Sequence, residues 1–133
     1  MNWRQDCSAL GGQFHVMGEY ISNQVSNVTY DPTGANGFGP LSYHNYRDGF
    51  YGQVSFRPTM VAGWLKNAEV GVRYDSLNIP SDAPGGGHEQ RWSAGVDYWV
   101  TPYSVLQAAY EWDLTQRGTP NANTLIIQWG IGL

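Results

Sequence analysis

The sequence has little charge, a single cysteine and no long apolar run. Asp, Glu, Lys and Arg make up only 14% of the 133 residues, against about 25% in an ordinary soluble domain. Cys7 alone cannot form an intramolecular disulfide. No stretch approaches the roughly 18 consecutive apolar residues of a transmembrane helix. The net charge of −4 and the lack of a basic stretch argue against nucleic-acid binding.

Aromatic residues and glycine are abundant instead. Phe, Trp and Tyr make up 14% of the chain, and Gly occurs 17 times. The mean hydropathy of −0.42 comes from Asn, Gln, Ser, Thr and Gly rather than from charged residues. This combination indicates β-structure with two unlike faces, because alternate residues of a strand point to opposite sides of the sheet.

Alternating apolar and polar residues recur between segments rich in Gly, Pro, Asn and Asp. They predict one all-β domain over 1–133, an antiparallel up-and-down meander with an irregular stretch at 1–12. Its predicted connections are alternately long or short, so we expect the long polar loops at one end of the sheet and the tighter turns at the other. The six predicted strands are 13–22, 49–57, 68–77, 90–100, 104–113 and 124–133.

The strand length favours a transmembrane β-barrel, or a six-strand portion of one. About ten residues tilted by ~40° rise roughly 25 Å, the height of an outer-membrane apolar band. On the apolar face, aromatic residues stand at both ends of an aliphatic middle, which is typical of the interfacial girdles of a lipid-facing wall. The predicted girdle residues are Phe14, Tyr20, Phe50, Phe56, Tyr74, Trp92, Tyr98, Tyr110 and Trp112.

The opposite face carries charged residues of both signs in mid-strand, as a water-filled lumen allows. We expect it to line a channel. The alternative is a soluble β-barrel or β-sandwich that serves as a binding or structural module, since such folds also have one apolar and one polar face. The predicted channel-lining residues are Glu19, Arg57, Glu69, Arg73, Asp75, Arg91, Asp97, Glu111, Asp113 and Gln128.

No residue spacing points to catalysis or to a cofactor. Ser93 and His15 lie on distant predicted strands, and His88 stands in a predicted loop beside Glu89. The segment that starts at Asp31 resembles a Ca²⁺ loop in composition only, because it lacks the terminal Glu. We therefore expect neither an enzyme nor a bound metal or cofactor.

Four segments carry a family resemblance: "DGFYGQVSFRPTM", "NAEVGVRYDSLN", "RWSAGVDYWVTPYSVLQAAYEWD" and "NTLIIQWGIGL". Together they resemble the C-terminal part of bacterial outer-membrane porins of the phosphate-selective O/P type. The resemblance implies an outer-membrane location, a trimer of barrels, and passive diffusion of small ions and solutes, including phosphate-type anions. It also implies that the barrel-assembly machinery reads the last strand, here through Trp129, Ile131 and Leu133, where Leu133 stands in place of the usual Phe.

Six strands are too few to close a barrel, because the smallest single-chain examples have about eight. The beginning "MNWRQDCSALGG" also has no basic segment followed by an apolar one, as a signal peptide would. We therefore expect the wall to be completed by the remaining strands of a longer porin or by further copies of the chain.

The charges on the predicted lumen face do not favour phosphate. Three arginines stand there against six carboxylates. Folding about 101–103 places Arg91 opposite Asp113 and Ser93 opposite Glu111. These charged residues either form ion pairs with one another within the wall or control ion selectivity. The sequence leaves both roles open.

Overall fold

The computed structural model describes residues 1–30, 40–81, 83, 86–114 and 122–132. It confirms an all-β, antiparallel up-and-down fold, a single sheet of seven strands in which neighbours in sequence are neighbours in space. Two 3-10 turns, Ser8–Leu10 and Trp64–Asn67, lie between strands. The strands are β1 (Asn2–Cys7), β2 (Gly12–Tyr30), β3 (Leu41–Arg57), β4 (Ala68–Ile79), β5 (Gly87–Thr101), β6 (Ser104–Asp113) and β7 (Thr124–Ile131).

The prediction that 1–12 is irregular was wrong, because β1 occupies most of this stretch and brings the strand count from six to seven. Residues Asn2 to Cys7 are almost all polar and carry no apolar alternation. Their pairing is supplied by β2, in a register that runs from Asn2↔Met17 to Cys7↔Gly12. The backbone bonds of a hairpin can therefore order a strand that has no hydrophobic signal of its own.

Strands β2 and β3 are also longer than predicted, at 19 and 17 residues. Much of the predicted loop 23–48 extends the two strands as a polar hairpin, with a register shift between Val25 and Val28. Once the register is fixed near Phe14 and Phe56, each further antiparallel pair satisfies two backbone groups. Pairing therefore continues past the end of the apolar alternation.

The connections alternate between the two ends of the sheet, as predicted. The connections 8–11, 58–67 and 102–103 share one end, which we call the turn end; the opposite end is the loop end. The prediction that all connections of the turn end are the shorter ones was wrong for 58–67, which is longer than the connection 80–86. At the turn end Gly11 adopts φ 63°, a left-handed conformation that glycine accepts readily. The amide of Met60 donates a hydrogen bond to the carbonyl of Gly11 at 2.9 Å, so the first two turns are tied together.

The described part of the chain forms a single layer with almost no core. Its buried residues are Gly12, Tyr43, Ser55, Ser76, Ala83 and Gly86, and none of its large side chains is fully buried. No helix among the described residues has the length and apolarity needed to cross a membrane. The side chains that distinguish this sheet therefore lie on its two broad faces.

Candidate functional site

The cross-strand register sorts the side chains into rows, because directly opposed residues lie on the same face of a sheet. One row runs from Glu19 through Tyr51, Asp75 and Arg91 to Asp113. We call this side of the sheet the polar face, and two further charged rows lie on it. They are Gln53–Arg73–Ser93–Glu111 and Glu69–Asp97–Gln107–Gln128.

The polar face forms an open trough of about 1150 Å³. Arg57 and Gln128 lie on the polar face but outside the trough, since Arg57 ends β3 and Gln128 lies on the edge strand β7. The other predicted channel-lining residues all line it, and they are Glu19, Glu69, Arg73, Asp75, Arg91, Asp97, Glu111 and Asp113.

Arg91 links two strands across the trough. Its Nε donates to Asp113 Oδ1 at 2.6 Å, and its Nη1 lies 3.3 Å from Glu111 Oε2. The register places Arg91 opposite Asp113 and Ser93 opposite Glu111, which confirms the pairing predicted from the turn at 101–103. Such exposed cross-strand pairs are worth about 0.2–1 kcal/mol each.

Two further arginines of this face, Arg73 and Arg57, are also engaged. Arg73 donates from Nε to both carboxylate oxygens of Asp75 at 2.9 Å, and its guanidinium lies 4.0 Å from the centre of the Tyr51 ring. Arg57 donates to the carbonyl of Lys66 at 3.0 Å, and its guanidinium lies 4.4 Å from the centre of the Trp99 ring. Arg73 is thus held against Tyr51 and Asp75 in the wall of the trough, and Arg57 bonds to the turn between β3 and β4.

The carboxylates of Glu69 and Asp97 accept hydrogen bonds from neutral side chains instead of from arginines. They stand directly opposite each other on β4 and β5. Ser55 Oγ donates to Glu69 Oε1, and Gln107 Nε2 donates to Asp97 Oδ1 at 3.0 Å. Ser55 reaches Glu69 diagonally because its direct partner, Gly71, has no side chain. Within the described ranges neither carboxylate belongs to an ion pair.

Sequence reasoning missed Ser55 and Gln107 as functional residues. The alternation places both on the polar face, but neither is charged, and only the register shows which carboxylate each one meets.

The opposite side, which we call the apolar face, carries aromatic residues on both sides of an aliphatic band. Toward the loop end the ring centres of Tyr74 and Trp92 lie 4.9 Å apart. Toward the turn end those of Phe14 and Phe56 also lie 4.9 Å apart. The register places all nine predicted girdle residues on this face. The aliphatic band consists of two rows, Val16, Val54, Val72 and Ala94, which continues into Tyr110, and Val70, Val96, Ala108 and Ile127, which begins with Phe14 and Phe56.

Two of the three residues predicted as an assembly signal lie on this apolar face at the end of β7. Trp129 and Ile131 are 70% and 66% exposed. The indole N–H of Trp129 donates to Ser104 Oγ at 2.7 Å, so its polar group has a partner in an otherwise apolar surface. Leu133 lies outside the described residues, as does the segment that starts at Asp31.

The described residues hold no group of three or more His, Cys, Asp or Glu side chains that could bind a metal ion. Ser93 lies on β5 and His15 on β2, so two strands separate them. His88 is hydrogen bonded to Gln90 at 2.7 Å.

Comparison with known proteins adds no family to this description. No family model matches the sequence, and no curated protein or solved structure is significantly similar to the chain. The fold class therefore rests on the topology itself, an antiparallel up-and-down sheet with one charged and one apolar face.

The link made by Arg91 can be tested by stability. Arg91→Ala leaves Glu111 and Asp113 close together without a cation, so we expect the free energy of unfolding to fall by about 1 kcal/mol. The measurement is the urea midpoint in detergent micelles, followed by tryptophan fluorescence. The matched control is Arg47→Ala, since Arg47 donates to the neutral side chain of Asn45. Equal effects of the two variants would show that the ion pairs add no stability.

Proposed function

We propose that this chain forms part of the wall of a bacterial outer-membrane porin. In this proposal the apolar face contacts lipid, and the polar face lines a water-filled channel for passive diffusion of small ions and solutes. The observation that carries it is the division of the sheet into a charged trough and an exposed aliphatic band flanked by aromatic residues.

The exposed apolar surface supports a lipid environment. Val54, Val70, Val72 and Val96 are between 43% and 51% exposed, and they lie side by side in adjacent rows. Soluble proteins rarely leave contiguous apolar patches of this kind in water, because each square ångström of apolar surface buried contributes about 25 cal/mol. In a bilayer the same surface contacts acyl chains at no such cost.

Strand length supports the same reading. Strands β2 to β6 contain between 10 and 19 residues, whereas typical soluble strands have about 5–6. A tilted strand needs about 9–11 residues to cross the hydrocarbon core. Each of these five strands is thus long enough to cross, and β2 and β3 extend beyond the band at the loop end.

The proposal also names the partners of the wall. In lipid the free edges of β1 and β7 need hydrogen-bonding neighbours, since each unsatisfied backbone group costs several kcal/mol. Further strands of a longer porin or further copies of the chain would supply them, and the sequence resemblance points to a trimer. The same resemblance supports recognition of β7 by the barrel-assembly machinery, with Trp129 and Ile131 in the recognised segment.

The test of the lipid-facing assignment uses two tryptophans on opposite faces of β5. Trp92 lies on the apolar face, and Trp99 lies on the polar face against Arg57. In variants that keep one of these tryptophans and replace the others by Phe, brominated phosphatidylcholine should quench Trp92 strongly. Trp99 should be quenched weakly by the lipid and more strongly by aqueous iodide.

Heat-dependent migration in detergent gels serves as the folding control for both variants. Equal quenching of the two tryptophans by brominated lipid would contradict the assignment of faces. A folded chain that stays in solution without detergent would instead support a soluble β-barrel or β-sandwich.

A further inference from the structure

The pairing of charges in the trough determines whether the trough favours cations or anions. The trough needs free cationic side chains to favour anions, because anion pores use exposed Arg or Lys and cation pores use Asp or Glu. Both arginines at its centre, Arg73 and Arg91, are already bonded to carboxylates. Arg91 is paired with two carboxylates, those of Glu111 and Asp113, so these three side chains together carry a net charge of −1.

Glu69 and Asp97 add negative charge that no arginine of the described residues offsets. Their hydrogen-bond donors, Ser55 and Gln107, are both neutral. Like charges directly opposed on adjacent strands oppose folding rather than support it. Glu19 also lines the trough and belongs to no ion pair within the described residues.

The loop end of the trough does not reverse this balance. Arg47 is the additional cation among the described lining residues, and the carboxylates of Asp48 and Glu89 line the same region. A cleft lined mainly by one sign of charge focuses its field and concentrates ions of the opposite sign. The potential along the trough is therefore negative.

We infer that the channel prefers small cations over anions, with Glu69 and Asp97 as the residues that determine this specificity. The inference rests on the proposed channel function and deepens it. It runs against the phosphate-type selectivity that the sequence resemblance implies. The reason lies in the structure, since the arginines that would bind phosphate oxygens are held by Asp75, Asp113 and Glu111.

The test is the zero-current potential, under a KCl gradient in a planar bilayer, of the completed barrel that contains this chain. We expect its sign to show preference for K⁺, and the sign should stay the same when potassium phosphate replaces KCl. The double variant Glu69→Gln/Asp97→Asn should lower the ratio of K⁺ to Cl⁻ permeability by about twofold or more. Because it removes a like-charge pair, this variant should fold at least as well as the parent chain.

The control is Asp6→Asn, which removes one carboxylate from the polar face of β1. Asp6 lies outside the trough and accepts a hydrogen bond from Gln13 at 2.9 Å, so its replacement should leave the potential unchanged. A zero-current potential whose sign shows preference for Cl⁻, or one that the double variant does not change, would overturn the cation preference. Either result would leave the channel itself intact. A folded, completed barrel without conductance would contradict the channel itself and the inference with it.

Discussion

Replacing Ala108 by Arg is expected to lower the stability of the chain in lipid or detergent by about 2–4 kcal/mol, the cost of an arginine on the lipid face near the middle of a bilayer. Ala108 lies in the aliphatic band between Val96 on β5 and Ile127 on β7. Its side chain is exposed in the isolated sheet. A soluble sheet would therefore accept the arginine at little cost, whereas a lipid-facing wall would not.

The adjacent residue offers the control for this substitution. Gln107 precedes Ala108 on the same strand, points to the polar face and stands opposite Asp97. Gln107→Arg should change stability by less than about 1 kcal/mol, because an ion pair with Asp97 replaces the present hydrogen bond. The measurement is the temperature at which each variant loses its compact migration in a detergent gel. Similar shifts of this temperature for the two variants would contradict the assignment of the apolar face to lipid.

The two faces of the sheet could be predicted from the sequence because alternate residues of each strand point to opposite faces. Alternation determined the side of every charged residue in β4 and β6 and of Arg91 and Asp97 in β5, whereas Glu89 was predicted in a loop and lies in β5. A tight turn also determines register, since a slip by one residue would move every side chain to the other face. For this reason a turn at 101–103 predicted the pairing of Arg91 with Asp113; in the structure Thr101 pairs with Ser104, and a register shift between Trp99 and Thr101 gives the same pairing.

Features that depend on partners far along the chain could not be predicted in the same way. Strand β1 has no apolar pattern, and its existence depends on pairing with β2. The polar extensions of β2 and β3 depend equally on backbone pairing rather than on side-chain pattern. The contact between Ser55 and Glu69 crosses the connection 58–67, whose length does not specify a register. Ion selectivity depends on contacts of this kind, because they decide which charges remain unpaired.

The close approach of β2 and β3 at the turn end leads to a second large expected effect, in the variant Gly12→Ala. A Cβ on Gly12 would lie 2.5 Å from Cζ and 2.7 Å from Cε2 of the Phe56 ring, and it would also press on the carbonyl oxygen of Arg57. The ring of Phe56 covers Gly12 and contacts Phe14. An added methyl group must therefore displace the ring and the backbone of β3 together, and overpacking of this kind costs about 1–3 kcal/mol. This cost exceeds the gain of about 0.5–1 kcal/mol that alanine has over glycine within a strand.

Gly52→Ala is the matched control for Gly12→Ala. Gly52 lies on the same face in β3, and a Cβ there would have no atom within 4 Å. Gly52→Ala should therefore gain the intrinsic stability of alanine over glycine without overpacking. It should raise the urea midpoint in detergent micelles, whereas Gly12→Ala should lower it. Because β1 pairs with β2 through Gly12 and Cys7, Gly12→Ala should also speed hydrogen exchange in β1 before it affects β5 and β6. A rise in midpoint for both variants would mean that β3 can move away from Gly12 without loss, and that Phe56 does not hold the turn end together.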